Sequence, residues 1–317
     1  MKAAIVTELG KPPVYADFKE PILADGEVLI DISAAPLSHV TRYRASGTHY
    51  SSAGSLPFVV GLDGVGRHNG KRVYFILPRA PFGSMAQRTA VQGAHLVALP
   101  DDIDDATAAA IAIPAMSSWA ALTVRSKMTP GQAVLVNGAT GISGRLAVQI
   151  AKLLGAGKVI AAGRDAGMLQ KLSALGADAT VSLLQDDAAQ DAAFTRHFSD
   201  GVDIVLDYLW GASAERLLAA AAKTNNNAKP VRFIQIGSSG GANISLPATT
   251  IRSSGLELIG CGMGSITLDQ ILDTVAQVFK AAGPHRLSIA PKTLPLAKIE
   301  GHWAIDTTAT RTVFVMA

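Results

Sequence analysis

Residues 132–164, QAVLVNGATGISGRLAVQIAKLLGAGKVIAAGR, constrain this chain more than any other stretch. Ala133–Asn137 is a short apolar, β-branched run, long enough for a buried strand. Gly138, Gly141 and Gly144 follow at three-residue spacing. Leu146, Ala147, Ile150, Ala151 and Leu154 then recur at the helical period over Ser143–Leu154. Gly155 and Gly157 end that helix, and Lys158–Ala162 is a second apolar strand. Strand, glycine turn, helix and strand make a βαβ unit of about 30 residues. Glycines let a backbone approach a pyrophosphate, and a helix N-terminus offers it free N–H groups and partial positive charge.

The motif is G-x-x-G-x-x-G rather than G-x-G-x-x-G, its middle glycine displaced. Glycine turns also occur where a helix merely packs tightly on a strand. Between a clear strand and a clear helix, dinucleotide binding is the stronger reading, through Gly138, Gly141, Ile142, Ser143 and Gly144. NAD-binding units usually end their second strand on an acid that binds the ribose 2′-OH. Here that position is Gly163, followed by Arg164. A missing carboxylate with an adjacent guanidinium favours a 2′-phosphate, hence NADPH over NADH; the alternative is that Arg164 is a solvated loop charge.

At 317 residues the chain has room for one or two domains. Its net charge is only +3 with the basic residues scattered, which argues against a nucleic-acid partner. The opening MKAAIVTEL is too short and too soon charged for a signal peptide. The chain reads as holding no apolar stretch of about 18 residues or more that lacks charges and glycines, which argues against a membrane span. One cysteine, Cys261, rules out an internal disulfide and a multi-cysteine zinc site. The expectation is a cytoplasmic protein.

Residues 1–100 read as β-rich, with strands at Ala3–Thr7, Glu27–Ala34, Arg72–Phe75, Ser84–Val91 and Leu96–Leu99 in a small, mostly antiparallel barrel or sandwich. Leu37–Ser46 reads as a short helix and Gly61–Gly66 (GLDGVG) as a tight turn that no helix follows. From Asp104 an alanine-rich helix runs to a break at Pro114, and Met116–Lys127 forms a second. Strands then alternate with helices: Val134–Asn137, Val159–Ala162, Ala179–Ser182, Ile204–Asp207, Arg232–Ile236 and Glu257–Gly260, with helices near 143–154, 166–175 and 213–222. Such alternation implies a doubly wound parallel sheet. Thr267–Ala282 is amphipathic, and strands near Leu287–Pro291 and Arg311–Met316 return the chain to β structure.

This order of parts resembles the medium-chain dehydrogenase/reductase superfamily, and more narrowly its zinc-independent, zeta-crystallin-like quinone oxidoreductases. The resemblance rests on PGQAVLVNGATGISGRLAVQIAKLLGA (130–156), LGAD (175–178), VDIVLDYLWG (202–211), FIQIGSSGG (233–241) and YRASGTHY (43–50). It implies an α/β fold, a Rossmann doubly wound sheet at 118–264 inserted into a β-rich, GroES-like substrate domain made of 1–117 and 265–317. It also implies a homodimer through the sheet edge near Ile244–Gly260. Zinc-containing members carry a cysteine at about Ser38 and a Gly-His-Glu; here the latter reads Gly61-Leu62-Asp63, and the cysteine-rich structural-zinc lobe is missing. His39 and Asp63 remain, but without a ligand pattern, so no metal is expected.

Without a metal, alcohol oxidation lacks its Lewis acid, whereas a quinone or an α,β-unsaturated carbonyl accepts hydride with only a hydrogen-bond donor and a water to meet the oxyanion. The expectation is therefore NADPH-dependent reduction of a small-molecule quinone or enone. By resemblance the donor is Tyr43; the alternative is a tyrosine packed with its hydroxyl at the rim. Ser38, Thr41, His49 and Tyr50 are further candidates in that segment. Met116, Trp119 and Phe82 are pocket candidates for which ordinary packing is as good an account. On the cofactor side Asp207, Gly237, Ser238 and Ser239 end the fourth and fifth strands, and by resemblance Cys261 and Gly262 lie close to the nicotinamide. With no base beside it, Cys261 reads as a small buried residue rather than a nucleophile. Two other functions stay open: an alcohol dehydrogenase with an atypical metal site, and a catalytically inactive NADPH-binding regulatory protein.

Overall fold

The computed structural model describes residues 1–48, 55–224, 230–283, 287, 289–305 and 310–316. The chain divides into two compact units, one of Met1–Ile113 with Val275–Ala317 and one of Pro114–Thr274.

The first unit is β-rich. Its strands are β1 (Lys2–Val6), β2 (Val14–Asp17), β3 (Glu27–Pro36), β4 (Phe58–Val59), β5 (Asp63–His68), β6 (Lys71–Ile76), β7 (Arg88–Gln92) and β8 (Leu96–Ala98), with helix α1 (His39–Ala45) between β3 and β4. β2, β1 and β4 form a small antiparallel sheet. β3 is the spine of the larger one, pairing with β5 and with β7 and kinking at a bulge between Ile32 and Ala34. Ile30, Phe75, Val91 and Val73 pack on one face of it.

The sequence reading of residues 61–66 as a tight turn is only half right. Gly61 does turn, at φ +108°, but β5 begins at Asp63. Its glycines serve strand pairing. A Cβ on Gly66 would meet Asp31 O at 2.4 Å, and one on Gly64 would meet Ala34 O at 2.9 Å. Glycine inside a strand marks close backbone approach as well as a turn, and composition alone does not separate the two.

Helix α2 (Asp105–Ala120) continues into a wider helical turn at Ala121–Arg125. The break expected at Pro114 does not occur; the proline sits inside α2, and its own carbonyl accepts from the hydroxyls of Ser117 and Ser118. Contrary to the expectation that no apolar stretch of spanning length exists, Asp105–Arg125 is long and apolar enough to cross a membrane by length and composition, and it is mostly buried inside the protein. A buried core helix passes the same test.

The second unit is a six-stranded parallel sheet of β9 (Ala133–Asn137), β10 (Lys158–Gly163), β11 (Ala179–Ser182), β12 (Ile204–Asp207), β13 (Val231–Gln235) and β14 (Leu256–Gly260). The order is β11-β10-β9-β12-β13-β14, so the chain reverses direction across the sheet between β9 and β12. That is the doubly wound dinucleotide-binding topology, and ligands bind such sheets at the carboxyl ends of the strands at this reversal. The helices are α3 (Ile142–Leu153), α4 (Ala166–Leu172), α5 (Asp187–Ser199), α6 (Gly211–Thr224) and α7 (Ala248–Arg252). α5 escapes a reading by hydrophobic period because DAAQDAAFTRHFS is mostly alanine and polar residues. Its start was legible as Asp186, whose carboxylate accepts from Ala189 N at 2.8 Å. Phe194 and Phe198 of α5 and Leu217 and Leu218 of α6 pack in one buried cluster with Leu135, Val205 and Phe233 of the sheet.

After α8 (Leu268–Ala281), β15 (Lys292–Pro295) pairs in parallel with β16 (Thr312–Val315), which closes antiparallel onto β3. Helix α9 (Ile299–His302) lies between them in sequence. The α/β class expected from the sequence, a doubly wound parallel sheet within a β-rich chain, is the architecture found.

Candidate active site

In the second unit the three glycines after β9 have separate physical roles. Gly138 takes φ +91°, and a Cβ there would lie 3.1 Å from the Leu209 side chain. Gly144 lets α3 settle onto the turn, since a Cβ would meet Gly138 O at 2.3 Å and Ala139 Cα at 2.5 Å. Gly141 is the helix N-cap, and a Cβ on it would touch only Gly138 O, at 3.6 Å. No side chain caps α3 there, whereas Asp165 caps α4 and Asp186 caps α5. An α-helix leaves its first N–H groups without intrahelical partners. At α3 these are kept for something other than a side-chain oxygen, and bare backbone with a positive helix end suits a pyrophosphate. Ile142 is buried at the start of α3 and Ser143 is half-buried.

The end of β10 is bound to this turn. Gly138 N and Ala139 N both donate to Ala162 O, at 2.9 and 2.8 Å. A Cβ on Gly163 would collide with Thr140 Cγ2 at 2.4 Å, so this strand end must be glycine. Arg164 follows it, exposed, and Asp165 starts α4 by accepting from Met168 N at 2.9 Å.

At the carboxyl ends of β12 and β13 the predicted cofactor residues are partly engaged in the fold. Asp207 is fully buried, accepting from Asn137 Nδ2 at 2.8 Å and from the amides of Leu209 and Trp210 at 3.1 Å. Burial pushes its carboxyl above the ordinary range while those donors pull it back. Asp207 thus organises the turn after β12. Gly237 N donates to Asp207 O, and a Cβ on Gly237 would meet Tyr208 O at 2.8 Å. Ser239 donates to Tyr208 O at 3.0 Å through its hydroxyl, and Ser238 follows Gly237 on the same loop.

Tyr208 is the residue that sequence reasoning passed over. Its hydroxyl shares a 2.7 Å hydrogen bond with Ser118 Oγ, and burial raises it well above the usual phenol range. Its signal was its place, one residue past the end of β12. Met116 and Trp119 are buried on α2 near Ser118. Cys261 is buried after β14, and its thiol, pushed up to about 11 by burial against the opposing pull of Arg125, stays protonated. Gly262 is exposed and donates from its N–H to Ser265 Oγ at 2.7 Å.

In the first unit, Ser38 is the N-cap of α1, accepting from Thr41 N at 3.0 Å and sharing a 2.8 Å hydrogen bond with Thr41 Oγ1. Tyr43 on the same helix is 50% exposed, its ring stacked on His39. Phe82 is buried, edge-on to Phe18 and beneath the Arg79 guanidinium, and with Thr41, Arg44, Val60 and Leu62 lines a cavity of about 30 Å³. His49 and Tyr50 lie outside the described residues.

Asp63 is engaged within the fold of the first unit. It is buried at the start of β5, accepts from Tyr74 OH at 3.2 Å and feels the buried Arg311 guanidinium. Burial pushes its carboxyl up to about 7. Among the described residues no three His, Cys, Asp or Glu side chains gather as a metal site.

Comparison with known proteins supplies the class. Residues 144–279 match the family model described as zinc-binding dehydrogenase. The chain is 26% identical to a probable NADPH-dependent quinone reductase of Emericella nidulans, over 99% of this chain and all of that protein. It is 32% identical to the quinone oxidoreductase of Sus scrofa over 53% of this chain and 54% of that one. The quinone oxidoreductase of Thermus thermophilus, solved also in complex with NADPH, superposes with a TM-score of 0.82 at 25% identity, over 99% of this chain and 100% of the other. Along its whole length the chain is similar to the quinone-oxidoreductase branch of the medium-chain dehydrogenase/reductase superfamily.

Proposed function

We propose that this protein is an NADPH-dependent oxidoreductase that delivers hydride to a quinone or an α,β-unsaturated carbonyl without a metal. The observation that carries the reading is the turn after β9: three glycines, a helix N-terminus without a side-chain cap, and Gly163 followed by Arg164 where an NAD-binding unit would place an acid. Quinone-reductase relatives along the whole chain support it.

NADPH, when bound, supplies the hydride. The chain's own residues do the rest. The N–H groups of α3 and the turn 138–144 hold the pyrophosphate, and Arg164 holds the 2′-phosphate. Met116 and Trp119 offer apolar surface that excludes water. Tyr43 Oη, on a half-exposed ring, donates to the oxygen that gains charge, and solvent returns its proton. Cys261, kept protonated, takes no nucleophilic part. Metal independence rests on the donor set, because Leu62 stands where relatives place a histidine ligand and is buried. The second unit is the dinucleotide-binding part and the first the substrate part of a cytoplasmic protein. The free edge strand β14, with exposed Leu258, and the neighbouring Ile251 suit a homodimer through the sheet edge.

The test is oxidation of NADPH and of NADH with 1,4-benzoquinone, 9,10-phenanthrenequinone and a simple enone, each with and without chelator. NADPH-preferring, chelator-insensitive turnover is the expected result. The family description, zinc-binding dehydrogenase, favours one other reading, an alcohol dehydrogenase with an atypical metal site. Chelator-sensitive oxidation of alcohols and stoichiometric metal in the purified protein would establish that instead.

A further inference from the structure

Arg145 has no role in the reading so far. It stands one residue past Gly144, in the first turns of α3. Side chains on a helix tilt toward its N-terminus, so Arg145 leans back toward the glycine turn. That turn and the end of β10 form one continuous surface. β9 and β10 run parallel with Asn137 beside Ala162, two turn amides bond to Ala162 O, and Thr140 sits against Gly163. The carboxylate of Asp165, two residues past Gly163, acts on the charge of the Arg145 guanidinium, so the two are within electrostatic reach of one another. It is half-buried, and that burial works against its charge. Arg164 stands exposed at the same strand end. One half-buried guanidinium from α3 and one exposed guanidinium beside Gly163 therefore belong to the neighbourhood where an acid would discriminate against a 2′-phosphate.

We propose that Arg145 joins Arg164 in gripping the 2′-phosphate of the dinucleotide, making NADPH selectivity a property of two arginines, one from α3 and one from the end of β10. This rests on the NADPH reading above. A guanidinium presents two parallel N–H donors to phosphate oxygens, and a half-buried one is already oriented, so less freedom is lost on binding. Asp165 favours the charged form of Arg145 and keeps the site from being an indiscriminate cationic patch.

Direct binding tests this without turnover. Affinities of the full-length protein for 2′,5′-ADP, 5′-AMP, NADPH and NADH are measured by calorimetry for wild type, Arg145→Gln and Arg164→Gln. Each substitution is expected to weaken 2′,5′-ADP and NADPH about tenfold to a hundredfold, leaving 5′-AMP and NADH within about twofold. The salt dependence of 2′,5′-ADP binding is expected to become shallower in Arg145→Gln, since one cation fewer meets the phosphate. Arg145→Met, which keeps the buried stem, replaces Arg145→Gln if that variant does not fold. An unchanged NADPH-to-NADH affinity ratio in either Arg145 variant overturns the proposal and leaves Arg145 a structural partner of Asp165. A wild type that does not prefer 2′,5′-ADP to 5′-AMP overturns the NADPH reading itself, which is a separate failure.

Discussion

The turn after β9 and the corner where α1 and β5 lie close in sequence do polar work by opposite means. At the turn the donors are backbone N–H groups, and the shape is set by what glycine lacks; no side chain titrates there. At the corner the work falls to side chains: Ser38 and Thr41 tie the start of α1, and Asp63, Tyr74 and Arg311 form a buried charged cluster. A site built from backbone should be indifferent to pH and intolerant of a single added carbon. A site built from side chains should be the reverse.

The largest test falls on the corner. Burial pushes the Asp63 carboxyl up to about 7 in the fold from the 3.8 of an ordinary aspartate, a gap on the order of 4 kcal/mol. The raised folded value sets the sign. Below pH 3.8 the carboxyl is protonated in both states and nothing is lost. As pH rises toward 7 the unfolded chain ionises first, and stability drains away across that window. Asp63→Asn removes the titration, so the gap between variant and wild type in urea-unfolding free energy should shift in the variant's favour from pH 4 to pH 7. A gap that stays constant over that range would mean Asp63 is ionised throughout.

The turn should respond to volume instead. In Gly144→Val the new carbons must occupy space 2.3 Å from Gly138 O and 2.5 Å from Ala139 Cα, both backbone atoms that cannot swing away. A loss of about 3 kcal/mol, together with loss of dinucleotide binding, is expected at every pH. Gly141→Asp separates shape from chemistry. Its nearest neighbour is 3.6 Å away, so there is room, and an aspartate there caps α3 as Asp165 caps α4. The melting temperature should hold or rise by a few tenths of a kcal/mol in equivalent stability. Dinucleotide affinity should fall about a hundredfold, because the added carboxylate takes the N–H groups and repels the phosphates. An affinity left intact would place the pyrophosphate away from α3.

The same contrast decided what was legible in the sequence. The second unit could be read nearly strand by strand because its constraints are local: apolar runs, glycines at fixed spacing, a helical period. α5 was missed only for want of an apolar stripe. In the first unit the glycines of β5 mimic a turn, since nothing local distinguishes a residue left bare for a chain reversal from one left bare for a neighbouring strand. Ser38 is a candidate by its place in the segment of Tyr43, but its hydroxyl serves α1, a use visible only once the start of α1 is known. Asp63 feels the charge of Arg311 across more than two hundred positions of sequence, and no periodicity reports such a pairing of charges. Tyr208 was visible as a letter; its 2.7 Å partner Ser118 was not.

Tyr43 and Ser38 carry the comparison to its fine end. Both are hydroxyls on or beside α1, one half-exposed and one buried in a cap. Tyr43→Phe should lower kcat for quinone about tenfold with little change in KM, the pattern for a donor that acts on developing charge. Unchanged turnover would remove Tyr43 as donor and leave water in that role. Ser38→Ala should do the opposite. It removes the acceptor for Thr41 N and should cost about 1 kcal/mol of stability, read from a urea midpoint at constant slope. Because α1 also carries Tyr43, a modest rise in KM should accompany it, and Ser38→Asp, which can cap, should restore both. If Ser38→Asp restores stability but not KM, the hydroxyl itself meets substrate, and the cap seen at α1 is the lesser of its two uses.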